Sequence, residues 1–241
     1  MIDLHCHFLP GVDDGPKTLS EALDLARAAC ADGITHSVLT AHVHPGRYTN
    51  QRSNLKMVFD SFCEELIIAN IPLNVRLGSE AHICHELIDL VAKNQVPFIG
   101  EVDGYRILLL EFPDSTIPLG SNRFVGNLLK LKIRPLVAHP ERNKAVMAHP
   151  EKIDEFALAG CWFQLTAGSL AGRFGNAAKQ TAFKIIDAGW NCLVATDAHN
   201  LQHRPPLLSK GLDALRECYG EDLAHSLVIE KPAKIWGLPQ A

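Results

Sequence analysis

Two histidines separated by one residue, His5 and His7, follow the first apolar run of the chain. On an extended segment residues i and i+2 point to the same side, so both imidazoles can reach one ion. Asp197 and His199 repeat that spacing near the other end of the sequence. Between them, His42, Glu80, Glu111 and His139 each stand where a short apolar run ends, and Asp14 follows His7 in a loop. All nine groups are nitrogen or oxygen donors. Such a set suits divalent Zn, Mn or Fe and lacks the thiolate richness of a structural zinc site. One ion cannot use nine ligands; about three to four each, with one bridging carboxylate, implies two or three ions. Clustered divalent ions acidify a water and neutralise charge on the attacking and leaving oxygens of a phosphoester.

Arginines lie close to this set. Arg142 stands three residues beyond His139, Arg204 five beyond His199, and Arg47 three beyond His44. A guanidinium fork beside a metal cluster can clamp phosphate oxygens bidentately, although Arg142 or Arg204 could instead pair with a carboxylate such as Glu141. Tyr48 offers a stacking platform for an aromatic substrate. Asp13 is expected to serve a turn before Gly15. The histidines at 36, 82, 85, 149, 203 and 225 read as surface or outer groups. Other phosphate and hydrolase chemistries are missing. No cysteine has an arginine six residues later, and there is no G-x-x-x-x-G-K-[ST] loop, G-x-S-x-G elbow or H-E-x-x-H pair.

These groups need elements to hold them. Apolar runs at 2–4, 36–41, 73–79, 106–111, 134–138, 162–166 and 192–196 read as strands. Stretches of helical period at 18–31, 53–70, 83–93, 121–131, 151–159, 175–188 and 207–218 alternate with them. Thr18 or Ser20 can cap the first helix, while Gly33, Gly160 and Gly189 stand where helices end. Repeated strand–helix units with near-continuous apolar strands imply a parallel sheet covered by helices, hence an α/β fold in one domain. In a closed α/β barrel the catalytic groups gather at the C-terminal ends of the strands. The nine donors occupy those ends.

Composition narrows the function. The chain has 241 residues, 47% hydrophobic and 21% charged, with Lys plus Arg 23 against Asp plus Glu 27 and a formal charge of −4. No basic excess points to nucleic acid. No apolar run reaches the ~18 residues of a membrane span, and the polar start argues against a signal peptide, so a cytoplasmic enzyme is expected. Seven scattered cysteines without a C-x-x-C pair read as reduced, mostly buried thiols.

The block His5-Cys6-His7-Phe8-Leu9-Pro10-Gly11-Val12-Asp13-Asp14-Gly15 resembles the N-terminal signature of the metal-dependent bacterial tyrosine phosphatases of the PHP (polymerase and histidinol phosphatase) superfamily. That branch is associated with capsule and exopolysaccharide loci. The similarity continues through Gly78-Ser79-Glu80, Leu110-Glu111-Phe112-Pro113, Ala138-His139-Pro140-Glu141-Arg142-Asn143 and Thr196-Asp197-Ala198-His199-Asn200, nearly the whole chain in order. The resemblance implies a distorted (β/α)7 barrel of the PHP type over 1–241 as a single phosphatase domain. It also implies three metal ions, often manganese, with Fe, Zn, Co or Mg as substitutes. By position, His5, His7, Glu80 and Asp197 would hold one ion, and Glu80 would bridge to a second shared with Glu111 and His139. Asp14, His42 and His199 would hold the third, with Arg142 and Arg204 on phosphate. The family commonly reads Thr-Pro-His-His after strand two; here Thr40-Ala41-His42-Val43-His44 keeps His42 as ligand and leaves His44, with Arg47 and Tyr48, to a substrate loop or outer role. The implied substrate is a tyrosine-phosphorylated protein, in particular a bacterial tyrosine kinase controlling capsule or exopolysaccharide synthesis. The alternatives are a small-molecule phosphomonoesterase of the histidinol-phosphatase type and a non-catalytic, metal-bound regulator of the kinase.

Overall fold

A computed structural model describes residues 1–239. Eight strands form one sheet: β1 (Ile2–Cys6), β2 (His36–Val43), β3 (Asn74–His82), β4 (Gly100–Val102), β5 (Tyr105–Glu111), β6 (Ile133–Ala138), β7 (Trp162–Thr166) and β8 (Cys192–Ala195). Seven of them run parallel in the order β1-β2-β3-β5-β6-β7-β8, and β4 pairs antiparallel with β5. The sheet curls until its two edges meet. The amide of Asp197 donates to the carbonyl of His5 at 2.8 Å, and that of His7 to Ala198 at 2.8 Å, which joins the segment after β8 to β1. The result is a nearly closed parallel barrel with helices outside it, among them Leu19–Ala31, Arg52–Ile68, Ser121–Lys130, Asn176–Asp187 and Leu208–Tyr219.

The first of these helices starts as its sequence requires. Thr18 Oγ1 accepts from the Glu21 amide, and the Glu21 carboxylate accepts from the Thr18 amide, a reciprocal cap. Buried Ala22, Leu25, Ala26 and Ala29 then face the sheet. Inside the barrel, Ile2, Leu4, Val38, Ile107, Leu109, Leu136 and Leu193 pack with Ile99 and Ile235 into a separate apolar cluster. That cluster floors the site.

Strict alternation would conflict with the chemistry at β1. Leu4 belongs to the interior cluster, so its neighbour His5 should face out. The pairing resolves this. Asp3 pairs with Ser37 but Cys6 with Leu39, three steps on β1 against two on β2. One extra residue makes a bulge, which re-aims the side chains beyond it. Cys6 now faces the outer core while His5 and His7 turn inward above Leu4.

Several features depart from the sequence reading: the helix expected at 83–93 covers only Leu87–Ala92, and short helices at Lys144–Ala148 and Ala167–Leu170 fall where none is expected. The stretch expected as one helix at 151–159 opens as a 3-10 turn, Pro150–Ile153, before the α-helix Asp154–Ala159. Strand β4 and the helical C-terminal segments Glu221–His225 and Lys231–Trp236 were not foreseen. Strand β4 and Lys231–Trp236 close the bottom of the barrel: Ile235 is 1% exposed, and a Cβ at Gly100 would lie 2.2 Å from the Ile235 carbonyl oxygen. Gly100→Ala is therefore expected to lower unfolding stability by about 1–3 kcal/mol in urea melts, because backbone must give way. Function at the opposite end should persist below the melting range. Unchanged stability would show that the C-terminal segment does not press on β4.

Candidate metal centre

The C-terminal ends of the strands deliver all nine donors to one mouth. His5 Nε2 lies 3.1 Å from His7 Nε2, 3.2 Å from Glu80 Oε2 and 3.2 Å from Asp197 Oδ1. His7 Nε2 lies 3.3 Å from Glu80 Oε2. Atoms bound to one ion at roughly 2.1 Å sit roughly 3.0–3.4 Å from one another, so these four side chains are spaced as a ligand set. Beside them, His42 and His199 direct Nε2 atoms at Asp14 Oδ1, at 3.3 and 3.4 Å, and His7 completes a second group. A third group joins His42, Glu80 and Glu111, with His42 Nδ1 3.2 Å from Glu80 Oε2. His139 Nε2 meets the other oxygen, Glu80 Oε1, at 2.9 Å. Glu80 thus touches every part of the cluster.

Backbone register explains these neighbours. His42 pairs across β2 and β3 with Glu80, and His82 pairs across β3 and β5 with Glu111. His139 and Asp197 follow the last residues of β6 and β8 and take left-handed conformations, at φ 32° and 53°. Such values are uncommon outside glycine and cluster at sites where geometry is functional.

The tautomers are set from behind. His5 Nδ1 donates to Gln164 Oε1 at 2.8 Å, His7 Nδ1 to Asp13 Oδ2 at 2.8 Å, and His199 Nδ1 to the Asp197 carbonyl at 3.0 Å. Each bond leaves Nε2 facing the cluster, the usual arrangement of a metal-ligating imidazole. Asp13 does make the expected turn, accepting from the Gly15 amide at 2.9 Å, and also orients His7. Gln164 was not singled out in the sequence. Its signal was a polar residue in the middle of the apolar run Trp162–Thr166.

Several buried lone pairs find no hydrogen-bond partner: Glu80 Oε2, Asp197 Oδ1, His42 Nδ1 and His199 Nε2. Buried polar atoms are rarely left so, and all four of these converge on the same space. Metal ions would answer that deficit. Without them the groups share protons. Burial alone lowers His5 and His7, but Glu80 and Asp197 around the first, and Asp13 and Glu80 around the second, raise both to about 9. Burial opposes ionisation of Glu80 and Asp197, yet His5 and His42 hold the former well below its usual range, and Arg204 and His5 the latter. Burial and the neighbouring His7 push His199 down to about 4.

The arginines converge on one carboxylate. Arg142 Nη1 and Arg204 Nη2 both donate to Asp197 Oδ2, while Oδ1 of the same residue faces His5. Glu141 is not their partner. It accepts from the Thr166 amide at 2.9 Å and from Ser169 Oγ at 2.7 Å. Both guanidinium groups, with Asp14, Glu111 and His139, line a cavity of about 410 Å³ over the cluster. At its rim, Arg47 lies over the Tyr48 ring at 5.1 Å, and Tyr48 stacks on His42 at 5.3 Å and 8°. His44 stacks on His82 at 3.9 Å and 2°, and His82 Nδ1 reaches Glu111 Oε2 at 3.1 Å. His82 was read as an outer residue; its place two residues beyond Glu80, on the same face of β3, was the signal.

The family model for capsular polysaccharide synthesis, CpsB/CapC, matches residues 1–237. The chain belongs to the CpsB/CapC family. Tyrosine-protein phosphatase YwqE of Bacillus subtilis is 33% identical over 227 residues, covering 94% of this chain and 88% of that protein. Tyrosine-protein phosphatase CpsB of Streptococcus agalactiae is 28% identical, covering 98% of each. A crystal structure from the pair YwqE of Bacillus subtilis and CpsB of Streptococcus pneumoniae, described as unique metal-dependent tyrosine phosphatases, superposes with a TM-score of 0.91 at 31% identity. It covers 100% of this chain and 96% of that one. The barrel is therefore the family's barrel over the chain's length.

Proton competition makes a prediction with a definite sign. His5 and His7 titrate near 9 in the metal-free fold, against roughly 6.5 unfolded. Their ionic contribution is complete below pH 6.5 and is lost as pH rises through 9. Metal binding requires neutral imidazoles. The rise in Tm caused by saturating Mn²⁺ should accordingly be larger at pH 8.5 than at pH 6.5 in thermal melts. An equal or smaller rise at pH 8.5 would remove His5 and His7 from the ligand set.

Proposed function

We propose that this chain is a metal-dependent protein-tyrosine phosphatase, a single PHP-type catalytic domain acting in the cytoplasm. The carrying observation is that a cluster of metal-type donors with unpartnered lone pairs shares one cavity with two guanidinium forks. Its family, and relatives of the same fold named as tyrosine phosphatases, support the same reaction. His5, His7, Glu80 and Asp197 hold one ion; Asp14, His42 and His199 hold another. Glu111 and His139 complete a further position through Glu80. The donor set suits manganese, with Fe, Zn, Co or Mg able to substitute.

Without ions, the four carboxylates Asp14, Glu80, Glu111 and Asp197 are offset only by Arg142, Arg204 and the protons held on His5 and His7. That leaves no net positive charge to attract a phosphate dianion. Divalent ions would displace those protons, acidify a water and offset charge on the phosphoryl oxygens. The chain's own groups do the rest. Arg142 and Arg204 exchange part of their contact with Asp197 for phosphoryl oxygens and grip them by their forks. Tyr48, Arg47 and His44 at the rim receive the aryl ring. A phenol of pKa about 10 leaves without a strong general acid, which fits a cavity whose acids serve as ligands. The substrate is a phosphorylated tyrosine on a protein, and that protein, in line with the capsular polysaccharide synthesis family, is a bacterial tyrosine kinase controlling that synthesis.

The test is phosphate release from a phosphotyrosine peptide, a phosphoserine peptide and histidinol phosphate by protein reconstituted with Mn²⁺. Phosphotyrosine should be turned over fastest, chelation should abolish release, and iodoacetamide should leave most of it. His139→Ala should lower kcat/KM by at least about 100-fold with the fold intact, since loss of even an outer-shell partner of a metal ligand costs about 10- to 100-fold. Preference for histidinol phosphate would replace the proposed substrate; no release from any aryl phosphate would leave a non-catalytic regulator.

A further inference from the structure

We propose that the cavity beside the candidate metal centre is an accessory anion subsite, which takes an acidic or phosphorylated side chain flanking the phosphotyrosine of a substrate protein. The proposal rests on the phosphotyrosine reading above. This second cavity, also about 410 Å³, is lined by Arg173, Arg204 and Lys210 together with Phe174 and Thr196. Three cations and no carboxylate line it, in contrast to the acidic cavity over the cluster. Arg204 lines both cavities, so they are contiguous through one guanidinium group. Phe174 forms the wall between them: the Arg142 guanidinium carbon lies 4.5 Å from its ring centroid. The ring is seated against bare backbone, since a Cβ at Gly168 would come within 2.9 Å of it.

Arg204 is compensated by Asp197, but the other two cations of this cavity are not. Among the described residues neither Arg173 nor Lys210 is ion-paired, and Arg173 reaches only the His203 carbonyl, at 3.4 Å. Lysines and arginines elsewhere on the surface, such as Lys56, Arg216 and Lys234, do find carboxylates. A peptide advances roughly 3.3 Å per residue when extended. A phosphotyrosine held by Arg142 and Arg204 would therefore bring residues one to three positions away over Arg173 and Lys210. An anion there gains from charges that no carboxylate of the fold already satisfies, whereas an apolar or basic neighbour gains nothing or is repelled.

The experiment uses the full chain loaded with Mn²⁺ and a phosphotyrosine peptide with alanine flanks. Glutamate, or a second phosphotyrosine, is placed singly at positions −3 to +3. At least one position on one side should raise kcat/KM by about 2- to 25-fold, mainly through KM, the range that two exposed ion pairs supply. The doubly phosphorylated peptide should gain at least as much as the glutamate peptide, and high salt should erase the gain. The double variant Arg173→Gln/Lys210→Gln should lose the preference while hydrolysing p-nitrophenyl phosphate at the wild-type rate. Equal kcat/KM for neutral and acidic flanks, or a preference that survives the double variant, would overturn the subsite while leaving the phosphatase reading intact. Failure of wild-type protein to hydrolyse p-nitrophenyl phosphate would instead overturn that reading and this inference with it.

Discussion

One buried carboxylate organises the molecule's chemistry. Glu80 is fully buried, yet its two oxygens face His5, His7 and His42 on one side and His139 on the other. An ionised carboxylate in an apolar interior is strongly disfavoured unless it is paired or bound to metal. The surrounding imidazoles alone leave Oε2 without a hydrogen-bond partner. Metal ions shared across this residue would supply what the protein does not. Asp197 repeats the device at the facing edge, with one oxygen toward His5 and the other toward Arg142 and Arg204. It therefore connects the cluster of metal-type donors to the two arginines.

The barrel exists in the form that this convergence requires. Parallel pairing lays β2, β3 and β5 side by side so that His42, Glu80 and Glu111 emerge on neighbouring strands. The bulge in β1 lets an apolar Leu4 and a polar His5 both belong to the interior. Left-handed backbone at His139 and Asp197 returns those side chains over the mouth within two residues of their strand ends. Such conformations cost of order 1–3 kcal/mol each and persist where the surroundings hold them. The apolar floor and the C-terminal closure at Ile235 supply that support from below.

Much of this was legible in the sequence because the signals were local. His5 and His7 were readable from extended-chain spacing, and the other donors from their places at strand ends. The seven parallel strands followed from apolar runs that recur between helical stretches. Three kinds of feature were not legible. Strand β4 has three residues, too few for a period, and the C-terminal segments are short helices with Pro232 at a start. The partners of Arg142 and Arg204 depend on which strand ends meet across the mouth, and Asp197 is distant from Arg142 in sequence. Gln164 and His82 owe their roles to register and barrel closure, although a polar residue inside a buried strand is a sign that could have been weighed.

Metal content per chain tests the central role of Glu80 most directly. Elemental analysis of protein purified with Mn²⁺ should find two or three ions in the wild type. Glu80→Gln, folded by circular dichroism, should retain at least one ion fewer, because the substitution removes the anionic oxygens between the ligand groups. Wild-type stoichiometry in Glu80→Gln would contradict a shared carboxylate at the heart of the site.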